Sequence, residues 1–130
     1  FADETGLVPE ACICGPPFPG FSNYITQIAC NTTPSVIADN TDFRALREIV
    51  GQMTEEGNPP DIMIGSSKGY PISREFGIPL VRCGFPVHDR VGGGRIQHHG
   101  YSGAAWLLDA TVNALLEKKQ RDSKTGYSYL

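Results

Sequence analysis

Four short runs of this chain are apolar on both faces, and each is followed by turn residues and then a helical pattern. They are "EACICG" (10–15), "SVIAD" (35–39), "DIMIGS" (61–66) and "PLVRCG" (79–84). A strand buried on one side alternates apolar and polar residues; one apolar on both sides belongs in a parallel sheet covered by helices. Strand and helix alternating four times predicts an α/β fold. The expected form is a three-layer α/β/α Rossmann-like sandwich with a mainly parallel sheet of about four strands and right-handed crossovers. At 130 residues the chain has the length of one ordinary domain, so 1–130 is read as a single domain.

The helices follow from period. Phe21, Tyr24, Ile25 and Ile28 fall on one stripe, as do Phe43, Leu46, Ile49, Val50 and Met53, with Arg44, Glu48 and Gln52 on the wet side. Asn40 or Thr41 is the expected N-cap of the second helix, and "EEGNPP" its end. A short helix is expected over "YPISREFG", stopped by Gly77 and Pro79. The last helix is placed from about Ser102 to Lys119, with Ala104, Leu108, Val112 and Leu115 as its inner stripe. Trp106 lies nearer the polar side, which suits either a ring lying over its own domain or a contact with a partner subunit. The tail "KKQRDSKTGYSYL" is polar, so it is expected to be frayed or docked elsewhere.

Composition narrows the partners. Hydrophobic residues make up 40% and charged residues 19%, as in globular chains. The net charge is −3, and the 11 basic residues are scattered. That leaves no positive stripe for phosphates, so nucleic acid is not expected. No apolar run approaches the roughly 20 residues that cross a bilayer, and the start has no signal-peptide pattern. No membrane association and a cytoplasmic location are the corresponding expectations. The four cysteines are then expected as thiols.

In a parallel sheet, ligands sit beyond the carboxyl ends of the strands. Those ends are "GPPFPG", "DNTD", "GSSKG" and "CGFPVHDRVGGG". In "GSSKG", Ser66, Ser67 and Lys68 can cradle an anion or simply form a tight turn. The segment is not a Gly-x-x-x-x-Gly-Lys-Ser/Thr loop, and no Gly-x-Gly-x-x-Gly follows any strand, so nucleotide binding is not supported. Cys12, Cys14, Cys83, His88, His98 and His99 are the candidate metal ligands. Cys12 and Cys14 share a strand face, yet metal and redox motifs use Cys-x-x-Cys, which is missing here. Adjacent His98 and His99 ordinarily point apart, and exposed loop histidines are the plainer reading. Asp89 and Arg90 suit pairing with other segments. No catalytic residue is assigned.

The second half carries a longer pattern. Asp61, Gly65, Ser66 and Ser67 are followed by Ile78 through Arg82, then Gly84, Phe85, Pro86, Asp89 and Arg90, then Gly100, Tyr101 and Gly103. This run resembles the carboxy-terminal domain of β-type subunits of the nitrogenase component 1 (molybdenum-iron protein) family, and that of paralogues that act as scaffolds for building the iron-molybdenum cofactor. The resemblance covers about half the chain strongly, and the first half is compatible in layout.

The resemblance implies a cytoplasmic heterotetrameric oxidoreductase of nitrogen fixation. Its partners would be an α-type sister subunit and an ATP-driven iron-sulfur reductase component. The parent complex would hold an iron-sulfur cluster and an iron-molybdenum-type cofactor, with none bound by this domain alone, since the cluster cysteines of the family lie in an amino-terminal domain. A cofactor-ligating histidine of the α-type subunit falls near Gly84 and Phe85; Gly-Phe-Pro stands there, which is β-like. The resemblance implies a subunit-packing segment of Gly84, Phe85, Pro86, Asp89, Arg90, Tyr101 and Trp106. A scaffold role in cofactor biosynthesis is the alternative. "FADETGLVP" resembles the end of a helix of the parent domain. A missing strand would expose a sheet edge and favour a homodimer in isolation.

Overall fold

The structure, a computed structural model, describes residues 1–29 and 32–125. Cys30, one of the expected thiols, and the tail from Gly126 onward lie outside the described residues. The chain is α/β, and two compact units divide it after Pro59.

The first unit opens with a single helical turn, α1 (Ala2–Thr5). A parallel βαβ unit follows: β1 (Ala11–Ile13), α2 (Phe21–Ile28) and β2 (Val36–Ala38), with Ala11 opposite Val36 and Ile13 opposite Ala38. Bonds from Val36 N–H to the Glu10 carbonyl (3.0 Å) and from Cys14 N–H to the Ala38 carbonyl (2.9 Å) extend the ladder at both ends. The unit ends with α3 (Phe43–Glu55). Its cap is Asp42, not Asn40 or Thr41: Asp42 Oδ1 accepts the Ala45 N–H at 2.8 Å. Asn40 is instead in the left-handed region (φ 49°), and the Thr41 hydroxyl donates to the Asp39 carbonyl. A carboxylate also complements the positive end of a helix better than an amide or hydroxyl does. Along α3, Leu46, Ile49 and Met53 are half-buried and Val50 is buried, as the stripe predicts, while Phe43 is exposed. On α2, Phe21 and Ile25 turn inward and Tyr24 and Ile28 are exposed.

The second unit repeats the plan. β3 (Met63–Gly65) and β4 (Leu80–Arg82) run parallel, with Met63 opposite Leu80 and Gly65 opposite Arg82. Between them lie a 3-10 turn (Ser67–Gly69) and α4 (Tyr70–Phe76). Pro71 stands in the first turn of α4, where its missing N–H costs nothing. At the other end buried Ser73 locks the exit. Its hydroxyl donates to the Ile78 carbonyl (2.7 Å), and Ile78 N–H donates to the Ser73 carbonyl (2.9 Å). Ile72, Ile78 and Val81 form the buried core of this unit. All four expected strands are present and parallel, hydrogen-bonded two and two. Each is only three residues long.

After β4 the chain passes through a 3-10 turn (Gly93–Arg95) into α5 (Gly100–Asp122), which packs on β4. This helix is longer than expected at both ends, and its packed face differs. Gly103 and Thr111 are buried and Leu107, Ala110 and Ala114 half-buried, whereas Ala104, Leu108 and Val112 are exposed. A Cβ on Gly103 would stand 2.5 Å from the His98 carbonyl carbon and 2.9 Å from its oxygen, so only glycine permits that approach.

Candidate functional site

The side chains with the densest polar contacts gather where β3 and β4 end, at the foot of the loop that joins β4 to α5. β4 delivers Arg82 as its last residue, and β3 runs directly into Ser66 and Ser67. Asp89 meets both. Arg82 Nε lies 2.9 Å from each Asp89 carboxylate oxygen. Its Nη2 stands 2.8 Å from Oδ2, within ion-pair distance but without hydrogen-bond alignment. The Ser67 hydroxyl donates to Asp89 Oδ1 and accepts the His88 N–H at 3.1 Å. Ser67 N–H donates to the Pro86 carbonyl at 3.0 Å. Arg90 adds a second cation, with Nη1 2.7 Å from the Asp89 carbonyl and 3.4 Å from Oδ2.

The Arg82 guanidinium also lies over the Tyr70 ring, 5.2 Å from its centre. A planar cation is held this way by a carboxylate on its edge and an aromatic on its face. The arginine and aspartate side chains are 12% and 27% exposed, so the pair is screened less than a surface ion pair. Hydrogen bonds from Arg82 first, then from Ser67, hold the Asp89 carboxyl well below the usual carboxylate range. Its chemistry is that of a permanent anion anchoring a loop rather than of a proton carrier.

The loop so anchored shows large apolar side chains to solvent. Phe85 is 93% exposed and Val91 fully, and Tyr101, on the first turn of α5, is 98% exposed. Gly84 lies in the left-handed region, and the Phe85–Pro86 bond is cis. Val87 tucks beneath the loop, so close to Gly93 that a Cβ there would lie 2.5 Å from Val87 Cγ1. Trp106 is half-buried, its ring centre 5.0 Å from that of His98, in keeping with a ring lying over its own domain.

Of the anion candidates, Ser67 is buried and committed to Asp89 and His88, Ser66 is half-buried, and Lys68 is exposed. His88 and His99 are exposed and His98 is half-buried. Cys12 and Cys14 belong to the first unit and Cys83 to the second; all three are free thiols, and burial pushes the Cys12 and Cys83 thiols up. Among the described residues, no three His, Cys, Asp or Glu side chains gather in a way that can hold a metal ion.

Two partners of Asp89 were not legible as such. Arg82 stands in the sequence run as part of a strand, and nothing in that run says that it turns back to a carboxylate seven positions on. Ser67 reads as an anion cradle, and the anion it meets is the chain's own.

Comparison with known proteins bears on this architecture directly. The family model described as nitrogenase component 1 type oxidoreductase matches residues 1–116. The nitrogenase molybdenum-iron protein beta chain of Methanothermobacter thermautotrophicus (strain Delta H) is 40% identical over 119 residues, which are 91% of this chain and 25% of that one. The nitrogenase vanadium-iron protein beta chain of Trichormus variabilis is 43% identical over 70 residues, 54% of this chain and 15% of the relative. A solved structure described as nitrogenase Cp1 at pH 6.5 superposes with a TM-score of 0.84 at 28% identity, covering 100% of this chain and 28% of that one. The chain thus spans about a quarter of the length of the beta chain first described.

Proposed function

Because the chain belongs to the nitrogenase component 1 type oxidoreductase family, we propose that residues 1–130 are one Rossmann-like domain, the carboxy-terminal one, of a β-like subunit. Its role in this reading is to pack against an α-type sister subunit in a cytoplasmic metallocluster enzyme. That complex reduces its substrate with electrons from an ATP-driven iron-sulfur reductase. The observation that carries the proposal is the anchored loop: Asp89, Arg82 and Ser67 pin a segment whose Phe85 and Val91 side chains its own fold leaves in water, as it does Tyr101 on the first turn of α5. Large apolar groups held rigidly in solvent are what a partner surface uses as anchors.

The family implies an iron-sulfur cluster and an iron-molybdenum-type cofactor in the parent complex, and the residues present do not fit either group. Cluster ligands are cysteine thiolates gathered around the iron, whereas Cys12 and Cys14 belong to the first unit and Cys83 to the second. No set of three candidate donors converges among the described residues. In this reading redox chemistry belongs to other parts of the complex.

The test is assembly. Phe85→Ala or Arg90→Ala in the full β-like subunit is expected to reduce co-purification with the α-type subunit by about tenfold or more, as loss of an interface anchor does. Undiminished assembly by both variants overturns the packing role. Transfer of a cofactor precursor by the full-length protein, in place of substrate reduction, would select the scaffold role instead.

A further inference from the structure

From Phe76 to Leu108 the chain has a single acid, Asp89, against three arginines, Arg82, Arg90 and Arg95, and all three histidines. Three cations less one anion give this stretch +2 in a chain of −3, which leaves −5 for all the other residues. The lone acid is engaged inside the fold by Arg82 and Ser67. Arg90 and Arg95 are exposed on the loop. Arg90 keeps only a 3.4 Å contact with Asp89 Oδ2, and Arg95 has no ion pair among the described residues.

Both arginines are nevertheless placed. Arg90 Nη1 donates to the Asp89 carbonyl at 2.7 Å, which turns its guanidinium along the loop. Arg95 folds back over Gly92, its Nη2 3.0 Å from where a Cβ of that residue would lie. The fully exposed Val91 therefore stands between two cations, Arg90 before it and the Arg95 guanidinium resting on the bare backbone after it.

We infer that the surface receiving this loop is an acidic protein face, an apolar recess for Val91 rimmed by carboxylates that take Arg90 and Arg95. The inference rests on the packing role proposed above and names the chemistry of the partner. Covering Phe85 and Val91 strips water from the neighbouring guanidiniums as well, and a desolvated cation left without an anion is strongly disfavoured. The loop cannot supply that anion, because Asp89 is already committed. The partner must. Arginine forks match carboxylates through paired hydrogen bonds, and such charges across an interface decide which partner is accepted. Two cations around an apolar tip are too few for a nucleic-acid backbone, which is held by many.

The experiment is binding of the full β-like subunit to the α-type sister subunit, at about 0.05 and about 0.5 M sodium chloride, with Arg95→Gln, Arg95→Glu and Phe85→Ala variants. Arg95→Gln is expected to weaken binding about tenfold, as loss of a charge-assisted bond does. Arg95→Glu is expected to weaken it about tenfold further, because like charges then face each other. High salt should weaken the wild type more than Arg95→Gln. If Phe85→Ala weakens binding while salt and both Arg95 variants do not, the packing role stands and the acidic face is overturned. If Phe85→Ala and Arg90→Ala also leave binding unchanged, the packing role falls with it. An Arg95→Glu variant no weaker than Arg95→Gln overturns the inference. So does salt-sensitive pairing of the β-like subunit with itself that Arg95→Glu abolishes, since the carboxylates would then belong to a second copy.

Discussion

Asp89 accepts from Arg82 and Ser67 and sits beside Arg90, so one carboxylate fixes a strand end, a turn and its own loop. Its depressed acidity sets the sign of a pH effect. Above the ordinary carboxylate value of about 4, the stability it contributes is complete. That contribution is lost as pH falls through the depressed value of the folded state. Asp89→Asn is expected to lower the melting temperature at neutral pH and to flatten this acid-side dependence, both readable in thermal melts across pH. An unchanged profile would remove Asp89 as the anchor. Thr111 presents the reverse case: its hydroxyl is buried with no hydrogen-bond partner among the described residues. Thr111→Val keeps the shape and removes the unsatisfied group, so urea unfolding should show a gain of about 1 kcal/mol. A loss of stability would mean that the hydroxyl is engaged after all.

The elements show where the sequence speaks clearly and where it does not. Each strand lies inside its apolar run, which marks an extended segment locally, although Val81 alone among the strand residues is buried and Ala11 and Ile64 are exposed. α5 is different. Leu108 and Val112 look like the inner stripe by size, but they are exposed, and the buried positions are Gly103 and Thr111. At Gly103 the reason is local: the backbone of Gln97 and His98, at the entry to the helix, comes too close for a Cβ. Gly103→Ala tests this. The gain in helix propensity, about 1 kcal/mol, should be outweighed by overpacking against the His98 backbone of about 1–3 kcal/mol, giving a net loss in chemical denaturation. The cap of α3 shifted from the expected residues to Asp42 for a related reason: several cap-forming residues stand in a row, and the backbone path chooses among them. The Asp89 partners were hidden likewise, since they are brought together by the chain's path rather than by spacing.

Among the described residues no three candidate donors gather, while Phe85, Val91 and Tyr101 stand out to solvent. The chain purified without oxygen is expected to carry iron and acid-labile sulfide far below one per chain, measured by metal analysis and absorption. Stoichiometric iron would make ligands of the cysteines. Phe85, Val91 and Tyr101, lacking a partner surface, also favour self-association of the isolated chain, which sedimentation at rising concentration would detect. The pairing of the strands bears on time as well as shape. Ala11 finds Val36 and Met63 finds Leu80, so each ladder joins neighbours in sequence and closes only a short loop. Short closures are quick. During synthesis, the first parallel pair can therefore form on the emerging chain while the residues of the second are still being added.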